Sequence, residues 1–212
     1  MSDYVAGKAW KQEKYDHIIE EGFKLIAEKG LASVIMPEVA KASGVGQATL
    51  FRYFPSKTEL VIAIATRKWQ EFIKKSGDLL PQKKRDKLTG AEYLKFFLDS
   101  FLELYRSHKD ILRFNYDFNS FVRNAEWTEE QKQPYLRMTA VLGEWFHDLY
   151  ERGMKDGTLN ADISEQTMFS STFHIMLSAV TRYAVGLAVV NESDPESELV
   201  MLADMMFSKF TK

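Results

Sequence analysis

The chain has 212 residues, 45% of them hydrophobic and 27% charged, with a net charge of −2 and no cysteine. That balance suits one large or two modest packed domains. It excludes a disulfide scaffold or a thiolate metal site. The first residues, MSDYVAGKAWKQEK, hold no apolar run of the signal-peptide kind, so a cytoplasmic location is expected. Charge is uneven along the chain: residues 1–69 sum to +2 and residues 70–212 to −4. Phosphate binding needs a basic face rather than a basic chain, so nucleic acid stays open.

No alternating strand pattern appears, and the periodicity is helical throughout. A first helix is expected over 11–29, with Ile18, Ile19, Phe23, Ile26 and Ala27 on its apolar face and Gly30 as its stop. A second begins at Pro37, a favoured first-turn residue, and ends near Ser43-Gly44. A third spans 47–53. Ser56 and Glu59 make the spacing of a capping box for a fourth, which runs toward Lys75. The polar stretch 80–87 reads as a loop. Further helices are expected over 90–107, 109–119, 129–155, 165–190 and 196–210. Thr128, Ser164 and Asp194 or Ser193 are placed as caps, and Gly157 ends the long helix. The run 173–190 is apolar, but His174 and Arg182 interrupt it. A bilayer span would bury that charge at high cost, so no membrane segment is expected.

The densest signal lies between Met36 and Phe54, MPEVAKASGVGQATLFRYF. Two short helices that cross sharply need a small residue at the contact, and Ala40 is there. The turn between them needs a positive φ, and Gly44 is there. The second helix needs a buried stripe, which Val45, Leu50 and Phe54 supply against Val39 and Phe23. These are the demands of a helix-turn-helix, whose second helix enters the major groove. What the core does not claim is Gln47, Ala48, Thr49, Phe51, Arg52 and Tyr53. Gln pairs with adenine, Arg with guanine, and Ala or a Thr methyl touches the thymine methyl. Tyr53, Lys57 and the helix start at Ser56 suit phosphate.

The segment VAKASGVGQATLFRYFPSKTELVIAI resembles the DNA-binding signature of the tetracycline-repressor (TetR) family. The resemblance rests on Gly44-Val45, Thr49-Leu50-Phe51, Tyr53-Phe54 and Ser56-Lys57, and its close part covers about residues 14–65. It implies an all-α regulator. Residues 1–56 would be the three-helix DNA-binding domain, 56–75 the start of a linking helix, and 76–212 a helical ligand-binding and dimerisation domain. It implies binding of a palindromic operator as a homodimer, with release by a small-molecule effector. The family's DNA-contacting positions fall on Gln47, Ala48, Thr49, Phe51, Arg52, Tyr53 and Lys57. Three departures strip hydroxyls from the expected phosphate contacts: Met36 and Gly46 stand where Ser or Thr is common, and Phe51 where Tyr is common.

Beyond residue 90 aromatic and methionine side chains are dense, as in a packed bundle or the wall of an apolar cavity. Polar residues set in those apolar runs are the candidate effector contacts: Arg113, Tyr116, Trp145, His147, His174 and Arg182. His174 and Arg182 lie about two turns apart, and a buried Arg would need an acidic partner or an anionic ligand. Helices 165–190 and 196–210 are apolar enough to need cover on two sides, so a homodimer through the last two helices is expected. The four histidines form no metal-ligand spacing. No nucleophile elbow, phosphate loop or dinucleotide turn is present, so neither a cofactor nor catalysis is implied. The alternative keeps the TetR-like DNA binding but has a protein partner control it, with no small-molecule pocket.

Overall fold

The computed structural model describes residues 2–125, 127–187 and 194–212, with side chains from residue 10 onward. Among these residues there is no strand, only one isolated antiparallel bridge between Leu159 and Thr211. The helices are α1 (Ser2–Lys29), α2 (Met36–Ala42), α3 (Gln47–Tyr53), α4 (Lys57–Leu79), α5 (Gln82–Arg85) and α6 (Gly90–Ser107). They continue with α7 (Lys109–Asn124), α8 (Glu129–Asp156), α9 (Glu165–Thr172), α10 (Ser178–Ala184) and α11 (Pro195–Phe210). Between α9 and α10 lies a π-helical turn, Phe173–Leu177. By contacts the chain divides into two units: residues 1–70 with 114–136, and residues 71–113 with 137–212.

The first unit packs α1 to α3 and most of α4 with the later part of α7 and the start of α8. Ile18, Leu50, Val61 and Ile64 are fully buried, and burial of this kind stabilises by about 1.5–3 kcal/mol per side chain. Gly22 lets α1 approach closely, since an added Cβ would stand 3.1 Å from Ile64 and 3.6 Å from Val39. The rings of Phe23 and Phe114 lie 5.6 Å apart and those of Phe118 and Tyr135 5.2 Å, which ties α7 and α8 into this core.

In the second unit α6 meets α8 at a glycine pair. A Cβ on Gly90 would fall 2.1 Å from the Gly153 Cα, so neither helix tolerates a side chain there. The N-terminus of α6 is held by Asp156, whose Oδ2 accepts the Gly90 N–H at 2.8 Å, and by Thr158, whose Oγ1 accepts that of Ala91 at 3.0 Å. Partial burial alone would raise the Asp156 pKa. The hydrogen bonds from Thr158 and Gly90 outweigh that and leave it lowered. Phe97, Phe101, Phe146, Phe169 and Phe173 form one cluster, with ring centroids between 4.8 and 6.1 Å apart.

Several elements differ from the sequence reading. α1 starts at Ser2 rather than 11, and α7 runs on to Asn124. The stretch 80–87 contains the one-turn α5. The single helix expected over 165–190 is α9, the π turn and α10, ended by Gly186 at φ +77°. Residues 188–190 and Ser193 lie outside the described residues. Asp194 is the cap of α11 and accepts the Glu196 N–H at 3.1 Å. Among the described residues no helix is long and apolar enough to cross a membrane.

Candidate nucleic-acid interface

The geometry of α2, the turn and α3 follows from a few local constraints. α2 has no hydroxyl at its start. Its cap is Ile35, whose N–H donates to the Glu38 carboxylate at 3.1 Å, and Lys29 pairs with the same carboxylate at 2.8 Å. The Lys29 hydrogen bond, with that from Ile35, holds the Glu38 carboxyl below its ordinary range. Met36 is buried rather than facing outward, so the missing hydroxyl at this position serves the core. After α2 the chain turns at Gly44, where φ is +62°. No atom lies within 4 Å of where its Cβ would be, so the backbone conformation, not crowding, selects glycine. The Val45 N–H closes the turn on the Ala40 carbonyl at 3.0 Å. Gly46 then caps α3 through its backbone, accepting from Thr49 at 2.9 Å and Leu50 at 3.0 Å.

This frame buries Leu50 and Phe54 and turns the rest of α3 outward. Gln47, Ala48, Phe51 and Arg52 are exposed. Gln47 and Phe51, like Ala48 and Arg52, stand four residues apart, so the two pairs run side by side along the exposed surface of the helix. Phe51 keeps 42% of its surface open, a large apolar ring that the fold leaves uncovered. Thr49 and Tyr53 are half-buried at the margin. The Tyr53 ring is 6.4 Å from Tyr15, which stacks on Phe54 at 5.0 Å. Burial raises the Tyr15 pKa, and the nearby Arg67, itself paired with Asp16, opposes that shift.

Lys57 stands apart from the others. Its Nζ donates to the Leu31 carbonyl at 2.7 Å, and burial lowers its pKa. The N–H of Leu31 donates to Asp117 on α7 at 3.1 Å. Both backbone polar groups of Leu31, in the turn before α2, are therefore held, one from α4 and one from α7. The bond to Asp117 joins residues 86 apart in sequence and left no local signal. The expected capping box at α4 forms by half. Ser56 Oγ accepts the Glu59 N–H at 3.2 Å, but the Glu59 carboxylate turns to Gln131 Nε2 on α8 at 3.0 Å.

The six residues expected from sequence as effector contacts fall in both units. Tyr116 belongs to the first unit and the other five to the second. Arg113, Tyr116, His147, His174 and Arg182 are all exposed, so Arg182 is not a buried cation in need of a partner. Arg113 donates to the Ala184 carbonyl at 2.7 Å. His147 pairs with Glu165 at 3.0 Å, and that hydrogen bond raises its pKa. Trp145 is half-buried, with the Arg85 guanidinium 5.2 Å from its ring.

A face of short polar and apolar side chains, carried on a helix behind a glycine turn, is what a major groove admits. Residues 18–64, which hold this whole arrangement, match the family model of bacterial regulatory proteins of the tetR family. The N-terminal region of the chain carries a TetR-type DNA-binding domain. An uncharacterized HTH-type transcriptional regulator of Bacillus subtilis (strain 168), YvdT, is 23% identical over 177 residues, covering 82% of this chain and 84% of that protein. Two solved structures share the fold of this chain. The FadR regulator of Bacillus subtilis, in complex with stearoyl-CoA, is 18% identical with a TM-score of 0.69, over 92% of this chain and 98% of that one. A regulator from Saccharomonospora viridis, in complex with choline, is 15% identical with a TM-score of 0.74, over 95% and 99%.

Proposed function

We propose that this chain is a homodimeric repressor of the TetR type that leaves a palindromic operator when a small molecule binds its C-terminal region. The exposed face of α3 carries the reading. Arg52 and Gln47 would read guanine and adenine, Ala48, Thr49 and Phe51 would contact thymine methyl groups, and Tyr53 would meet phosphate. Lys57 keeps two of its three ammonium hydrogens for phosphate after its bond to Leu31. Residues 1–56 would form the reading domain and 76–212 the effector and dimerisation domain, with the protein acting in the cytoplasm.

Dimerisation through the last two helical segments is supported by what they leave open. Ile175, Leu187, Met201 and Met205 are large apolar residues exposed in the protomer. Such a surface is what an interface covers. The π turn bears Ile175 and α11 bears both methionines, so two segments from each chain would meet about a two-fold axis.

The effector would be taken by the second unit, whose phenylalanine cluster offers an apolar wall. The two related structures carry ligands as different as stearoyl-CoA and choline, so their chemistry does not transfer. Release needs differential affinity for the DNA-competent and DNA-incompetent arrangements. Selection of duplexes from a random pool by the full chain tests the reading. An inverted repeat with half-sites about one helical turn apart is expected; enriched sites without two-fold symmetry would refute it. Thermal stabilisation against a ligand library then separates a small-molecule effector from control by a protein partner, because a bound ligand raises apparent stability.

A further inference from the structure

The first unit contains a cavity of about 500 Å³ behind the recognition helix. Its walls come from α1, the end of α3, α4 and the first turns of α8. Tyr15, Tyr53 and Phe54 give it an aromatic side, and Ile62, Ala63 and Pro134 an apolar one. That volume lies within the range of small-molecule sites.

Two polar groups in this wall lack a hydrogen-bond partner. One carboxylate oxygen of Glu59, Oε1, accepts from Gln131, while Oε2 is buried and accepts nothing. About two turns further along α4, Thr66 keeps only 8% of its surface exposed, and its hydroxyl is also without a partner. A buried acceptor left unmatched costs about 1–3 kcal/mol, and more if charged. Such pairs in natural proteins call for an explanation. Arg67, a cation in the same wall, is held by Asp16. Arg52 faces solvent on the exposed side of α3.

From this cavity and its two unmatched oxygens we infer that the DNA-reading unit has a second ligand site, for a small organic amine with a flat apolar body. The ammonium donates to Glu59 Oε2, the oxygen that Gln131 leaves unmatched, and the Thr66 hydroxyl is the second polar group of the wall. The body lies against Tyr15 and Tyr53, where an aromatic face also attracts the positive charge. The site touches the last turn of α3 through Arg52, Tyr53 and Phe54. A ligand there therefore acts on the reading helix directly, without passing through the second unit.

Calorimetry of the full chain with phenethylamine and with 3-phenylpropionate, its carboxylate counterpart, tests the site. The amine is expected to bind and the acid not to bind. Glu59→Gln keeps shape and removes the charge, and should weaken the amine about tenfold or more, the worth of one charge-assisted hydrogen bond. Ala63→Phe leaves both oxygens in place and fills the cavity, so it should abolish binding even if Glu59→Gln fails to fold. Absence of amine binding to the unsubstituted protein overturns the proposal. So does equal binding of the acid, or amine affinity that Ala63→Phe leaves unchanged. Operator affinity without ligand should be the same in unsubstituted protein and Glu59→Gln, which keeps this result separate from the DNA-reading assignment.

Discussion

α3 and the second unit obey different kinds of constraint. α3 is seven residues long, and its face is set within a span of about a dozen residues: a glycine turn, a backbone cap, one buried leucine. Each of those constraints is local, so the exposed face is the remainder once they are met. The second unit has no such frame. Its close contacts join distant residues, such as Gly90 with Gly153 or Arg113 with Ala184. Polar residues in its apolar runs can face solvent or a second chain as easily as a ligand. A site defined by short-range geometry is read from sequence; a site defined by packing is not.

The sharpest way to break this contrast is at the glycine contact of the second unit. Gly90→Ala places a methyl 2.1 Å from the Gly153 backbone, and we expect a loss of about 3 kcal/mol or more, read as a fall in Tm. A Tm within a degree or two would show that α6 and α8 do not meet as described. Next in size, Leu50→Ala removes a fully buried side chain from α3 and should cost about 2–5 kcal/mol in denaturant unfolding. Normal stability in that variant would mean that α3 is not held from behind.

These two sites mark what was legible. The bounds of α3 and α6, the stops at Gly30, Gly44 and Gly157, and the caps Ser164 and Asp194 follow from periodicity and turn chemistry. The π turn in FHIML was not, because no proline or glycine marks it and packing of Phe173 on Phe97, Phe101 and Phe169 accompanies it. α5 was missed because QKKR has no apolar period. At the reading face, Gln47, Ala48, Phe51 and Arg52 are exposed as expected. The tie of Lys57 to Leu31 was hidden, since its partner is a backbone carbonyl. His174 and Arg182 have apolar neighbours in sequence, yet both are exposed on the protomer.

Lys57→Met sharpens the comparison inside the reading unit. It should weaken all duplexes alike, reduce the slope of affinity against salt by about one, and also lower Tm because the Leu31 carbonyl loses its donor. A changed salt slope with unchanged Tm would assign Lys57 to DNA alone. The smallest effect is expected at His147. Its pKa is raised by Glu165, so the pair stabilises the protein below the ordinary histidine pKa, and that contribution fades as pH rises through the raised value. His147→Ala should lower Tm slightly under acidic conditions and not at alkaline pH, seen in melts across pH.

The reading face itself is tested most directly by titrating unsubstituted protein and Arg52→Ala against a selected operator and a scrambled duplex at fixed salt. We expect Arg52→Ala to lose about 1–3 kcal/mol on the operator, to lose far less on the scrambled duplex, and so to forfeit its preference between them. An Arg52→Ala protein that discriminates the two duplexes as well as the unsubstituted chain would contradict the placement of the DNA-reading surface on α3.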